Sequence, residues 1–224
     1  MKNKLPLILL GIGILVVGLT VFFVVKNSSS DGDSDDVAIE IDFPDRPVAS
    51  LTPSDDGHWI KLVIDKIQIA KASSMDYELL YSLPDGRTQG VPGNVKLDGA
   101  TSIERDLLLG SESSGKFRYD EGVETGTLTL RFRNSKGKLL AKFSTKFHLQ
   151  TSVAKLTSVD ENFTYELEES SDSWYITMQS FGLPSSSSVS EVTSGPYGVF
   201  TSDSSLPEGT ADGWEVVSSN LFYK

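Results

Sequence analysis

Residues 127–150 read TLTLRFRNSKGKLLAKFSTKFHLQ, and this stretch decides the fold. Leu128, Leu130 and Phe132 alternate with Thr127, Thr129, Arg131 and Arg133. After Asn134-Ser135-Lys136-Gly137 the alternation resumes. Leu139, Ala141, Phe143, Thr145, Phe147 and Leu149 share one phase, and Lys142, Ser144, Lys146, His148 and Gln150 share the other. A period of two puts successive side chains on opposite faces of a strand, and a Gly-containing break between two such runs predicts a β-hairpin. One face is apolar and belongs to a core. The other is basic, with Arg131, Arg133, Lys138, Lys142 and Lys146.

Upstream of the hairpin lie the short runs IKLVIDKIQI (60–69), DYELLYSL (76–83), RDLLL (105–109) and KFRYD (116–120). In the first, Ile60, Leu62 and Ile64 share a phase that Ile67 and Ile69 do not, so a bulge or bend is expected at Asp65-Lys66. Leu83-Pro84-Asp85-Gly86 and Val91-Pro92-Gly93 read as turns. Val37, Ile39, Ile41 and Phe43, alternating with Ala38, Glu40 and Asp42, predict an opening strand. About seven or eight short strands without a helical period predict a mainly β fold, an immunoglobulin-like antiparallel β-sandwich over residues 37–150. The cysteine pair of antibody domains is absent, so the likeness is architectural.

Residues 151–224 repeat the theme with more Ser and Gly. Phe163, Tyr165 and Leu167 alternate; so do Trp174, Ile176 and Met178 after the turn at 169–173. Residues 183–196 read as a long loop, and YGVFTS and WEVVSSNLFYK as closing strands. This smaller acidic β-region is expected as a second small domain or as an extension packed on the first. Its aromatic residues, Trp174, Tyr175, Tyr197, Trp214 and Tyr223, could stack on a ligand or fill a small core. Tyr197, next to Gly195-Pro196, is expected to be an exposed contact. Trp174 and Trp214 fit core positions, with Trp214 retained as a contact candidate.

The amino-terminal end is of another kind. Residues 5–25, LPLILLGIGILVVGLTVFFVV, begin at Leu5, end at Val25 and carry no charge. As a helix they would span roughly 30 Å, the hydrocarbon thickness of a bilayer. The run ends in FFVVKNSSS, without a small-residue cleavage pattern, which favours a retained signal anchor over a cleaved signal. Lys2 and Lys4 precede the span, while Asp31, Asp33, Asp35 and Asp36 follow Lys26. The positive-inside tendency then puts the amino terminus in the cytoplasm and the bulk of the chain outside. Residues 27–36, NSSSDGDSDD, read as an acidic linker between the membrane segment (1–26) and the folded part.

The stretch LLLGSESSGKFRYDEGVETGTLTLRFRN, residues 107–134, resembles uncharacterised signal-anchored surface proteins of bacteria with immunoglobulin-like β-sandwich domains. The resemblance implies location and fold, and carries no activity.

The 224 residues contain no cysteine and two histidines, for a formal net charge of −11. That removes disulfides, thiolate metal sites and cysteine nucleophiles, and an acidic chain is a poor nonspecific partner for nucleic acid. By region the charge is +3 over residues 1–26, −8 over 27–56, +3 over 57–150 and −9 over 151–224. The basic middle and the acidic end are expected to attract each other.

Motifs that mimic chemistry fail on context. Gly110-Ser111-Glu112-Ser113-Ser114-Gly115-Lys116 has the spacing of a phosphate loop, but Phe117 stands where magnesium binding needs Ser or Thr, and no helix pattern follows. Ser113–Lys116 and Ser152–Lys155 match S-x-x-K without the partner sequences an acylating enzyme needs. His58 and His148 have no neighbouring ligand residue at a metal-site spacing. The expected role is therefore binding, adhesion or envelope scaffolding by an anchored protein, with no cofactor and no metal. Its partners are the membrane through residues 5–25 and an extracellular protein or glycan. The candidate contacts are Tyr197, Trp214, Arg131, Arg133, Lys142 and Lys146. The alternatives are a carboxylate-based hydrolase such as a glycosidase, or a membrane-anchored subunit of an envelope assembly.

Overall fold

The computed structural model describes residues 38–187, 189 and 191–224. The expected membrane span and acidic linker lie outside the described residues. Among the described residues, no helix is long and apolar enough to cross a membrane. The strands, in chain order, are β1 (Val48–Pro53), β2 (Trp59–Asp65), β3 (Ser74–Ser82), β4 (Thr88–Lys96), β5 (Ile103–Leu108), β6 (Gly110–Ser113), β7 (Lys116–Tyr119) and β8 (Thr125–Arg133). They continue with β9 (Leu139–Thr151), β10 (Lys155–Thr157), β11 (Thr164–Leu167), β12 (Trp174–Gln179), β13 (Tyr197–Thr201), β14 (Gly209–Thr210), β15 (Glu215–Ser218) and β16 (Leu221–Tyr223).

The predicted hairpin is β8–β9, paired antiparallel with Leu128 opposite Thr145, Leu130 opposite Phe143 and Phe132 opposite Ala141. It sits inside an eight-stranded sheet of order β15-β16-β13-β12-β9-β8-β3-β4. Two three-stranded sheets, β1-β2-β5 and β10-β11-β14, and the hairpin β6-β7 complete the fold.

Two cores flank the large sheet, and strand alternation explains both. Leu51, Ile60, Leu62, Ile64, Ile103 and Leu107 of the β1-β2-β5 sheet pack with Leu79, Leu128, Leu130, Phe132, Phe147, Ile176 and Met178 of the large sheet. The opposite phase of its other half supplies Tyr175, Tyr197, Val199 and Phe222, which pack with Leu156, Phe163, Tyr165 and Leu167 under β10-β11-β14. A sandwich-like arrangement thus forms on one face, and a smaller aromatic core on the other. A polar seam ties the second small sheet down. Buried Gln150 exchanges hydrogen bonds with the Thr157 backbone, its Nε2 donating to the carbonyl at 3.2 Å and its Oε1 accepting from the amide at 3.0 Å.

Residues 38–224 form one compact unit. The boundary expected after residue 150 falls inside β9, and β12, β13 and β16 feed both cores. The smaller β-region keeps an aromatic core of its own but shares its main sheet with the rest.

Two local expectations are corrected, at residues 37–43 and 91–93. The opening strand of residues 37–43 is not formed over the described residues: 38–42 are irregular, and Phe43–Asp45 is a short 3-10 turn. Pro44 lies in its first turn and Ile39 is 65% exposed, while Ile41 is partly buried against the larger core, so the segment packs without pairing as a strand. Val91-Pro92-Gly93 lies inside β4 rather than in a turn. A proline is tolerated because β4 is the sheet edge, and Gly93 leaves room for the Tyr77 ring, which a Cβ there would overlap. The pseudo phosphate loop is a tight hairpin, β6–β7, turning through Ser114 and Gly115 at φ of 53° and 75°. The expected break at Asp65-Lys66 is a bend: β2 ends at Asp65 and Lys66 has a φ of 54°.

A candidate binding groove where β12 leaves β9

β9 pairs with β8 along most of its length, but with β12 only from Phe147 onward, where Phe147 faces Met178. Beyond Gln179 the chain turns away. The Ser180 amide donates to the Pro196 carbonyl at 2.8 Å, and its hydroxyl accepts from the Ala49 amide at 3.0 Å. The two strands therefore splay, and a cavity of about 670 Å³ opens between residues 142–145 of β9, residues 179–181 and the segment 39–43. A neighbouring cavity of about 300 Å³ shares Ser144, Thr145, Asp160, Gln179 and Tyr197 with it and reaches Lys146. Together they make a groove on the open polar face of the large sheet, in the size range of ligand pockets.

The 158–162 loop between β10 and β11 supplies one wall. Asp160 is bound by the Ser158 hydroxyl at 2.6 Å, Asn162 Nδ2 at 3.0 Å and the Tyr197 hydroxyl at 2.5 Å. Partial burial opposes its ionisation, but these donors win and hold the carboxyl below its ordinary range. Burial, and then the Asp160 carboxylate, push the Tyr197 phenol above its usual value. At neutral pH the pair is a carboxylate accepting from a neutral phenol, which ties the 158–162 loop to β13. Gln179 is oriented by its Nε2 donating to the Gly195 carbonyl at 3.0 Å.

The sequence-derived contacts separate clearly. Lys142 and Lys146 are exposed, lie on one face of β9 at the groove, and form no ion pair among the described residues. Arg131 and Arg133 are on the same face but are neutralised from β3: Arg131 pairs with Glu78 at 3.2 Å, and Arg133 with Asp76 at 2.7 Å. The hairpin's arginines thus meet carboxylates of the basic middle region, not of the acidic end. Tyr197 is corrected: it is in β13, 3% exposed, its ring stacked on Phe163 at 5.2 Å. It reaches the groove only as a wall, through its hydroxyl. Trp214 is half-buried in the same cluster, edge-on to Phe163 and Tyr197 at 5.3 Å each, with Lys224 Nζ 4.4 Å above its ring. It does not line the groove but packs behind Tyr197, which does.

Sequence reasoning did not place Asp160, Asn162 or Gln179 at a site. S-V-D-E-N at 158–162 resembles any polar turn, and nothing in the unbroken alternation of β9 marks where β12 departs. His148 has its Nδ1 2.8 Å from the Thr157 carbonyl. His58 stacks on Tyr119 at 4.2 Å. Among the described residues, no group of three or more His, Asp or Glu side chains is placed to hold a metal ion. The chain matches no protein-family model, no curated protein and no solved structure.

Proposed function

We propose that this is a single-pass membrane protein displaying an immunoglobulin-like β-sandwich outside the cytoplasmic membrane. There it binds an extended anionic ligand in the groove between β9 and β12, in an adhesive or scaffolding role. One observation carries the binding part: Lys142 and Lys146 stand exposed at a preformed cavity and form no ion pair among the described residues, while Arg131 and Arg133 nearby are neutralised by Glu78 and Asp76; of the cavity's other charges, Arg46 faces Glu40 at 4.0 Å and Asp160 is held by its three hydrogen-bond donors. Unpaired cations beside oriented amides such as Gln179 suit an anion that brings its own charge. The anchor rests on the uncharged run 5–25 and its flanking lysines.

The test uses the full chain in detergent micelles on arrays of anionic and neutral glycans and peptides. Anionic ligands should be retained, with binding that weakens as salt rises. The double charge reversal Lys142→Glu with Lys146→Glu should reduce it at least tenfold. Array binding unchanged by that reversal overturns the assignment of the groove.

A further inference from the structure

Resting on the binding reading above, we infer that the ligand is a polypeptide: an extended segment, acidic and apolar in alternation, that joins the large sheet as a strand along the free edge of β9. The edge is defined at both ends. Ile39 N–H donates to the Leu140 carbonyl at 2.8 Å at one end, and pairing with β12 begins at Phe147 at the other. Between them, residues 142–146 have β8 on one side and no strand on the other among the described residues.

The direction of the backbone groups follows from alternation. Leu149 N–H donates to Glu124 on the β8 side. Leu140, of the other parity, accepts from Ile39 on the opposite side. Lys142, Ser144 and Lys146 share the parity of Leu140, so their amides point into the groove, as do the carbonyls of Lys142 and Ser144; the Lys146 carbonyl, at the end where β12 joins, accepts from the Thr145 hydroxyl at 3.4 Å. A row of unpaired strand amides is a template for another strand, and five residues give an edge of roughly 17 Å.

Side-chain chemistry narrows the occupant. Residues of an added strand opposite Lys142 and Lys146 lie on the same face within reach of the ammonium groups, so acids four apart in the ligand meet both cations. The residues between point to the other side of the strand, where Phe143, Phe181 and Ile41 line the cavity and the two Phe rings lie 5.2 Å apart. The fitting pattern is acid, apolar, small polar, apolar, acid.

The test measures fluorescence anisotropy of the labelled peptide acetyl-TEVTVET-amide with the full chain in detergent micelles, and with polygalacturonate as a second probe. The peptide should bind, and Lys142→Glu with Lys146→Glu should weaken it at least tenfold. Two N-methylated peptides decide the mode, one methylated on the Glu and central Thr amides and the other on the Val amides. Only amides of one phase face β9, so one form should lose binding and the other keep it; loss in the Glu and Thr phase marks an antiparallel addition. Equal binding by both forms overturns strand addition. So does lysine-dependent binding of polygalacturonate without binding of the peptide, which leaves the anionic-ligand reading standing. Binding of neither probe removes both.

Discussion

Phe163→Ala should lower the melting temperature of the whole folded unit in a single transition. Phe163 is fully buried, and its ring packs on Tyr197 at 5.2 Å, Trp214 at 5.3 Å and Phe222 at 5.4 Å. Removing it empties the centre of the smaller core, and rings held by backbone on three sides cannot collapse fully into the space. Such a truncation costs about 3–5 kcal/mol, which for a unit of this size is roughly 6–20 °C. The single transition follows from the shared strands, because β12 contributes Tyr175 to this core and Ile176 and Met178 to the other. Phe117→Ala is the control. That residue is 48% exposed on the β6–β7 hairpin, so its loss should shift melting by a small fraction of that amount. Calorimetry of the full chain in detergent, with near-ultraviolet circular dichroism to follow the aromatic cluster, reads both variants. Two separated transitions in Phe163→Ala, with only the lower one shifted, would refute the shared-sheet argument. A melting temperature within 2 °C of wild type would refute the packing argument, since that is less than about 1 kcal/mol.

Gly126→Ala should destabilise by about 1–3 kcal/mol in the same assay, because the new Cβ would overlap the Leu80 carbonyl and the Phe147 ring, and a backbone atom cannot swing aside. Asp76 carries a pH dependence: burial raises its pKa, but hydrogen bonds from Arg133 and Asn94 outweigh this and hold it below the ordinary value of about 4. A depressed folded-state pKa gives stability that is present above the unfolded value and is lost as pH falls through the folded one. Arg133→Ala should therefore cost about 1–2 kcal/mol at pH 7, a difference that narrows in urea titrations as pH falls below the ordinary carboxyl value of about 4. A difference independent of pH would remove the electrostatic account of the pair. Protease added to intact cells or sealed right-side-out vesicles should remove the β-region, and full protection would reverse the proposed orientation.

Much of the fold was legible because burial writes a period of two into each strand. The β8–β9 hairpin, the bend after Asp65 and the strand beginning at Trp174 all follow from which residues alternate. Where the same signal misled, a specific constraint prevailed. Residues 38–42 alternate yet stay irregular, with Pro44 in the turn that follows. Val91-Pro92-Gly93 has turn chemistry yet lies in an edge strand, where Pro92 loses nothing by lacking an amide proton. Tyr197 sits beside Gly195-Pro196, as a loop residue would, yet is buried because β13 is covered by the aromatic cluster of the second small sheet.

The β character, the pairing of the central hairpin and the apolar run before the folded part can be read from the residues in order, since each depends on local pattern alone. Long-range packing set cores on both faces of one sheet, because an alternating strand does not reveal whether its second phase meets water or a partner. It also decided which cations remain available. Arg131 and Arg133 look equivalent to Lys142 and Lys146 in sequence. β3 brings Glu78 and Asp76 against the arginines, while the departure of β12 leaves the two lysines facing an open groove.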